Sequence, residues 1–301
     1  MILSQLLPKY LDEYRFEILN EHEFETLGLV GSRTGSTKCT FIDNLDFAKD
    51  IPEDVKMIIT KKEYAEALQG EERGLCLVDA PRIVFFKLHN ALSKVEPYAR
   101  KQTKTVIGSN CRIHETAIIA DNNVVIGDNV VIEEYVVIRE NTTIGDNCII
   151  RTGVKIGNPG FEFKREGDSI FGVEHCGGTI IGSNVEILCN TGVNKALYPW
   201  DDTVIGDYCK IDMLCNISHG AKVGKNTMIV ALAGIGGRTV VGENCWIGYG
   251  AILRNGITIG DNARVNMGAI VSKDVEPGQA VTGNFAIEHD KFMSDLKLRA
   301  R

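Results

Sequence analysis

The sequence predicts a mainly β protein: a left-handed parallel β-helix, preceded by a small α/β domain and followed by a short helix. Three observations carry that expectation. Aliphatic residues recur at every sixth position through most of the second two-thirds of the 301-residue chain. Glycine and asparagine stand at fixed offsets from those aliphatic residues. The first hundred residues or so lack the period altogether.

The longest unbroken series starts at Ile205 and runs through Ile211, Ile217, Val223, Ile229, Ile235, Val241, Ile247, Leu253, Ile259, Val265 and Val271. An earlier frame contains Ile126, Ile132, Ile138, Ile144, Ile150 and Ile156, and a third contains Ile181, Ile187 and Val193. Ile107, Ile113 and Ile119 open the pattern, with a slip of one residue before Ile126. A fixed short period is the signature of stacked repeats.

Gly often follows the aliphatic residue, as at Gly108, Gly127, Gly206 and Gly224, and Asn often stands three positions after it, as at Asn110, Asn129, Asn147 and Asn226. Both tolerate turn conformations that other side chains resist. Each hexad therefore reads as a short strand plus a turn. Three hexads make one triangular coil of about 18 residues, and stacked coils pair as parallel strands about 4.8 Å apart. The aliphatic residue fills the core, aided by a small residue four positions on, a place taken by Cys111, Cys148, Cys209, Cys215 and Cys245.

The period divides the chain into three parts. Residues 1–100 read as a small α/β domain: KKEYAEALQG and PRIVFFKLHNALSKV have helical spacing, whereas KMIIT and GLCLVD read as strands. Residues 101–284 form the β-helix. Residues 285–301, from about Ile287 onward, read as a short amphipathic helix with a basic tail. Two segments interrupt the repeat, NPGFEFKREGDSIFGVEHCGGTI after Ile156 and NKALYPWDDTV after Val193. Binding residues concentrate on loops that leave a regular scaffold.

Composition removes several function classes. The net charge is −7, with no dense Lys or Arg block, which argues against nucleic acid as a partner. No apolar run approaches the roughly 18 to 20 residues of a membrane span. The start, MILSQLLPKYLDEYRF, lacks the basic leader and long apolar stretch of a secretory signal. The nine cysteines are scattered, odd in number and without a CxxC pair, so they read as buried free thiols in a reducing cytoplasm.

The core of a β-helix is packed side chains, so a site must lie on its outside, beside the interruptions. His219, in ISHGAKVG, sits two positions after its aliphatic residue, at an outward-facing turn. One coil later the equivalent residue is Gly237, and one coil further it is Asn255, a candidate for substrate contact. A glycine stacked beside the histidine leaves backbone open to a ligand. Imidazole suits abstraction of a proton from an attacking amine, and a free N–H suits an oxyanion. The plainer alternative is a surface histidine at a turn. His175, in the first interruption, is a further candidate for substrate contact, while His22, His89, His114 and His289 read as surface or packing residues. No close cluster of His and carboxylates suggests a metal, so none is expected. Phe161 and Phe163, with Tyr198 and Trp200, offer stacking surfaces for a base or a pantetheine chain, or anchors for their own loops.

These residues resemble a known family. The hexads, the preceding small domain and the run DDTVIGDYCKIDMLCNISHG are similar to the UDP-3-O-acylglucosamine N-acyltransferases of lipid A synthesis. The resemblance implies that His219 is the general base and that Gly237 offers the oxyanion N–H, with Asp212 matching an aspartate seven residues before the base. CTFIDNLDF resembles a segment whose aromatic residues sandwich uracil, which implies Phe41 and Phe47 in that role and Asn44 near the phosphates. GNPGFEF matches a substrate loop. Gly256 stands where the family has a second histidine, Met213 where it has an asparagine, NKALYPWDDT is two residues longer than its counterpart, and the C-terminal helix is shortened.

The function so implied is N-acyl transfer from an acyl-ACP or acyl-CoA thioester to the amino group of a nucleotide-linked amino sugar. It needs no permanently bound cofactor. A homotrimer is implied, with acyl carrier protein as a further partner. The alternative within enzymes is a CoA-dependent N-acetyl- or acyltransferase acting on a nucleotide-linked amino-deoxysugar of surface glycans. From a different class, the alternative is a non-catalytic nucleotide-sugar-binding or structural trimer, against which the His219–Gly237 pair stands.

Overall fold

The computed structural model describes every residue except Glu71, Asn284, Phe285, Ile287, Ala300 and Arg301, and the side chain of Arg299. The six-residue period becomes a parallel β-helix whose faces are three sheets of nine, eight and eight strands. Most of these strands are two residues long and end on the aliphatic residue that points inward. Ile217 pairs with Ile235, and Ile235 with Leu253, so one coil is 18 residues long. The slip near the start appears as 19-residue steps, Ile107 to Ile126 and Ile113 to Ile132. A single column of buried residues, from Val124 to Val275, fills the interior.

The turn asparagines behave as their chemistry predicts. Asn110, Asn129, Asn147, Asn184, Asn226, Asn244 and Asn262 all adopt φ between 55° and 60°, the left-handed region that Asn visits more readily than other non-glycine residues. Leu214, Leu232 and Arg238 adopt the same conformation without that advantage, at φ 57°, 61° and 58°. The cysteines at the small inward position are free, and all but Cys111 are buried.

The first hundred residues build a five-stranded sheet in the order Glu17–Leu19, Gly74–Leu77, Val55–Thr60, Lys38–Ile42, Thr26–Leu27. Only Glu17–Leu19 runs antiparallel to its neighbour. The helix Pro81–Leu92 carries Val84, Phe85, Leu88 and Leu92 into a core shared with Leu3, Leu7, Phe24, Leu27, Met57 and Ile59. KKEYAEALQG forms one 3-10 turn and a four-residue helix, shorter than its spacing suggests. Sequence reading missed the strand Lys38–Ile42 and the helix Leu3–Tyr10, which has a proline near its end. Beyond the β-helix, His289–Arg299 forms the C-terminal helix, although Ile287, where the sequence starts it, lies outside the described residues.

Both interruptions of the repeat turn back onto this sheet-and-helix unit. The first contains an antiparallel hairpin, Phe163–Glu166 with Ser169–Gly172, which the sequence reading leaves as a loop. The Pro81–Leu92 helix grips it at several points. Lys87 pairs with Glu166 at 2.7 Å, Asn90 Nδ2 donates to the Gly172 carbonyl at 2.8 Å, and Asn90 Oδ1 accepts from Glu174 N–H at 2.8 Å. His89 is fully buried: its Nε2 donates to the Glu174 carbonyl at 2.7 Å and its Nδ1 accepts from the Tyr98 hydroxyl at 2.7 Å. Burial holds the His89 pKa down at about 4. The second interruption inserts Leu197 and Tyr198 into the same core, and Trp200 stacks on Tyr198 at 5.2 Å while donating to the Leu27 carbonyl. Tyr198 and Trp200 are therefore loop anchors, and Tyr198 is buried rather than a stacking surface for substrate.

Candidate active site

His219 heads the turn that leaves the strand Asn216–Ile217. The sequence places it outward, and an uninterrupted β-helix would leave it exposed. In the structure the first interruption folds over this corner, and the His219 side chain keeps only 9% of its surface. The covering residue is Gly160. A Cβ on Gly160 would lie 3.1 Å from His219 Cδ2 and 3.2 Å from His175 Nε2, a tight fit in which the rings would have to yield by a few tenths of an ångström.

Gly237, one coil on, lies against the other side of the imidazole. A Cβ there would come within 2.8 Å of His219 Nε2. The stacking read from the sequence is thus realised in space. The expected open N–H is not: Gly237 N–H donates to Asn255 Oδ1 at 3.2 Å. Asn255, expected to contact substrate, holds that N–H across the next coil.

His175 also reaches this corner, its ring 5.4 Å from that of His219 and nearly perpendicular to it. Its Nδ1–H donates to the Val173 carbonyl at 3.1 Å, and its buried Nε2 has no hydrogen-bond partner. Burial, reinforced by the neighbouring His219, lowers its pKa to about 4. His219 Nδ1 is likewise buried without a partner. Unpartnered buried polar atoms are rare in native proteins and call for an explanation. Two of them stand on adjacent imidazoles at this corner.

The carboxylate nearest His219 is not Asp212. Asp212 stands at a different corner of the coil, where its oxygens accept from Met213 N–H at 2.7 Å and Ala231 N–H at 3.1 Å. Glu162, from the first interruption, places Oε2 3.6 Å from His219 Nε2. It is mostly covered and ion-paired with Lys164, whose ammonium lies 4.3 Å above the Phe86 ring. Burial pushes the Glu162 pKa up, but Lys164, Arg238 and His219 outweigh it and hold the carboxyl below its ordinary range. For His219 itself, burial and then Arg238 lower the pKa, against Glu162 and Asp201, which raise it. The corner therefore holds a neutral imidazole near neutral pH, the form a base requires. Sequence reasoning missed Glu162 because no spacing connects the aperiodic loop to His219.

The remaining candidates lie apart from the imidazole pair. Phe161 is 87% exposed and Phe163 about half exposed, their rings 4.8 Å apart on the covering loop. Phe41 packs against Phe85 and Phe86 at 5.0 and 5.7 Å, with the Arg82 guanidinium 5.6 Å above its ring. Phe47 is 60% exposed, and Asn44 Oδ1 caps the short helix after it by accepting from Asp46 N–H. Gly256 is a turn residue at φ 71°. Among the described residues, no group of three His, Cys, Asp or Glu side chains has metal-binding geometry, and no helix is long and apolar enough to cross a membrane.

Residues 123–158, 202–237 and 238–273 match the family model for bacterial transferase hexapeptide (six repeats), so the chain carries a hexapeptide repeat over these segments. More particularly, it is similar to UDP-3-O-acylglucosamine N-acyltransferases, as the sequence resemblance implies. It is 42% identical over 149 residues to UDP-3-O-acylglucosamine N-acyltransferase 2 of Legionella pneumophila (strain Paris), covering 50% of this chain and 43% of that protein. With the Rickettsia bellii (strain RML369-C) enzyme of the same name, identity is 44% over 92 residues, covering 31% of this chain and 26% of that protein. The chain thus spans less than half the length of these curated relatives. A solved UDP-N-acetylglucosamine acyltransferase from Campylobacter jejuni overlays 64% of this chain and 78% of its own with TM-score 0.49 and 20% identity, too weak a likeness to bear on function.

Proposed function

We propose that this chain is an N-acyltransferase that moves an acyl group from a thioester, acyl-ACP or acyl-CoA, to the amino group of a nucleotide-linked amino sugar. The observation that carries this reading is the buried, neutral imidazole of His219 with Nε2 set against Gly237 and beside a carboxylate. The similarity to UDP-3-O-acylglucosamine N-acyltransferases supports the choice of acceptor.

In this mechanism His219 Nε2 takes a proton from the sugar amine as its nitrogen attacks the thioester carbonyl. The C–N bond forms and the carbonyl oxygen becomes an oxyanion. Gly237 N–H leaves Asn255 to bond that oxyanion, an exchange favoured because hydrogen bonds to a charged acceptor are roughly twice as strong as neutral ones. The C–S bond then breaks, and the thiolate recovers the proton from His219. No metal or resident cofactor takes part. His175 contacts substrate through its unpartnered Nε2, and Phe161 and Phe163 line the approach. Phe41, Asn44 and Phe47 receive the nucleotide. We place the enzyme in the cytoplasm as a homotrimer whose sites are shared between neighbouring subunits. Its free cysteines suit a reducing compartment.

The test is a screen of acyl-CoA and acyl-ACP donors against nucleotide amino sugars, read by mass spectrometry, with His219→Ala as the comparison. The expected result is an N-acylated product whose rate falls about 10²- to 10⁴-fold in the variant, the usual worth of a general base. An unchanged rate removes His219 from the mechanism. Absence of acylation with every donor overturns the enzyme in favour of a nucleotide-sugar-binding or structural trimer. The donor that supports turnover decides between carrier protein and CoA.

A further inference from the structure

We infer that Glu162 is the carboxylate that stabilises the imidazolium formed when His219 Nε2 takes a proton, a charge brought beside that nitrogen by the covering loop. This rests on the reading of His219 as the base.

Four observations converge on it. The two side chains meet at 3.6 Å while retaining only 9% and 16% of their surface, and partial burial strengthens a charge interaction by lowering the local dielectric. The loop packs closely on the ring, since a Cβ on Gly160 would lie 3.1 Å from His219 Cδ2 and 3.2 Å from His175 Nε2. Glu162 is fixed from behind by Lys164, itself seated on Phe86 of the Pro81–Leu92 helix. Finally, the other nearby carboxylates are committed elsewhere. Asp201 is paired with Lys222 at 2.6 Å, and Asp212 accepts from two backbone N–H groups at a different corner.

The charges that act on His219 come from three directions. Glu162 and Lys164 lie on the covering loop, Asp201 at the end of the second interruption, and Arg238 on the next coil. His175 adds a neutral ring. Arg238 and Lys164 disfavour an imidazolium, Glu162 and Asp201 favour it, and Glu162 is the carboxylate at ion-pair distance. Removing its charge while keeping its shape must therefore make His219 a weaker base. Glu162→Gln is isosteric and lies outside the hydrophobic clusters, but it also removes the pair with Lys164, so a thermal melt of each variant accompanies the titration.

The deciding experiment follows the ring protons of His219 by NMR across pH in the full chain, in wild type, Glu162→Gln and Glu162→Asp. Alongside it, kcat and KM are measured against pH for whichever donor and acceptor the screen identifies. In the Gln variant His219 should titrate at lower pH, and the acid limb of kcat/KM should move the same way. kcat should fall on the order of tenfold with KM nearly unchanged, as for loss of part of a general base's strength. The Asp variant should recover part of both. A His219 titration identical in wild type and the Gln variant overturns the pairing. The titration needs no substrate, so it decides Glu162 even if acyl transfer fails; activity with an unmoved titration would sink Glu162 and leave the acyltransferase standing.

Discussion

Two corners of the same solenoid differ in what covers them. The corner that follows Ile211 carries Asp212, Met213 and Leu214, then Leu232, Tyr249 and Met267 on successive coils, and several of these side chains are exposed. Its polar groups are satisfied locally, Asp212 by two backbone N–H groups. The corner that follows Ile217 carries His219, Gly237 and Asn255, and lies under the first interruption. There two imidazole nitrogens have no partner and a carboxylate approaches from another part of the chain. The backbones of the two corners are nearly the same. What separates them is the aperiodic segment that closes over the second corner and buries its imidazoles.

The sharpest way to break this comparison is at Gly237. A methyl group there would sit 2.8 Å from His219 Nε2, so Gly237→Ala should push the ring off its place and lower kcat about 10²-fold, a loss typical of a displaced catalytic group. Steady-state kinetics beside a thermal melt would separate this from unfolding. An active Gly237→Ala enzyme would mean that the contact between ring and coil has no part in the chemistry.

At the open corner, Asp212→Ala should cost about 1–2 kcal/mol of stability through its two lost hydrogen bonds, as measured by urea denaturation. The pH dependence of His219 should not change. If it shifts, Asp212 orients the base after all and the two corners are coupled. The smallest effect is expected at Leu232, which holds φ 61° on the exposed side of its turn. Leu232→Asn should raise the melting midpoint by an amount equivalent to roughly 0.5–1 kcal/mol, since Asn relieves the strain of that conformation. A loss instead would show that the leucine side chain is packed against something, as in an assembly between copies of the chain.

The β-helix was legible in the sequence because its rule is local: each coil repeats the same inward aliphatic residue and the same turn asparagine. The register alone puts Gly237 beside His219. What sequence could not show was anything fixed by the interruptions. Glu162 reaches His219 through a loop of no period, and Tyr198 looked like an exposed aromatic because the core that buries it belongs to the first hundred residues. The Gly237 N–H looked open because the register put Asn255 one coil away without saying where its amide points. Asp212 followed the family resemblance to the base, while local geometry gave its oxygens to the backbone.

The grip of the Pro81–Leu92 helix on the hairpin makes the covered corner a composite of distant parts of the chain. Lys87, His89 and Asn90 clasp the same segment that presents Glu162. A protein trimmed to its repeats would keep its stacked coils and its histidine, yet lose the clamp that seats the carboxylate beside it. Ancestry by simple coil duplication could lengthen such a molecule indefinitely without creating a second centre, because the ingredient that makes one is inserted rather than repeated.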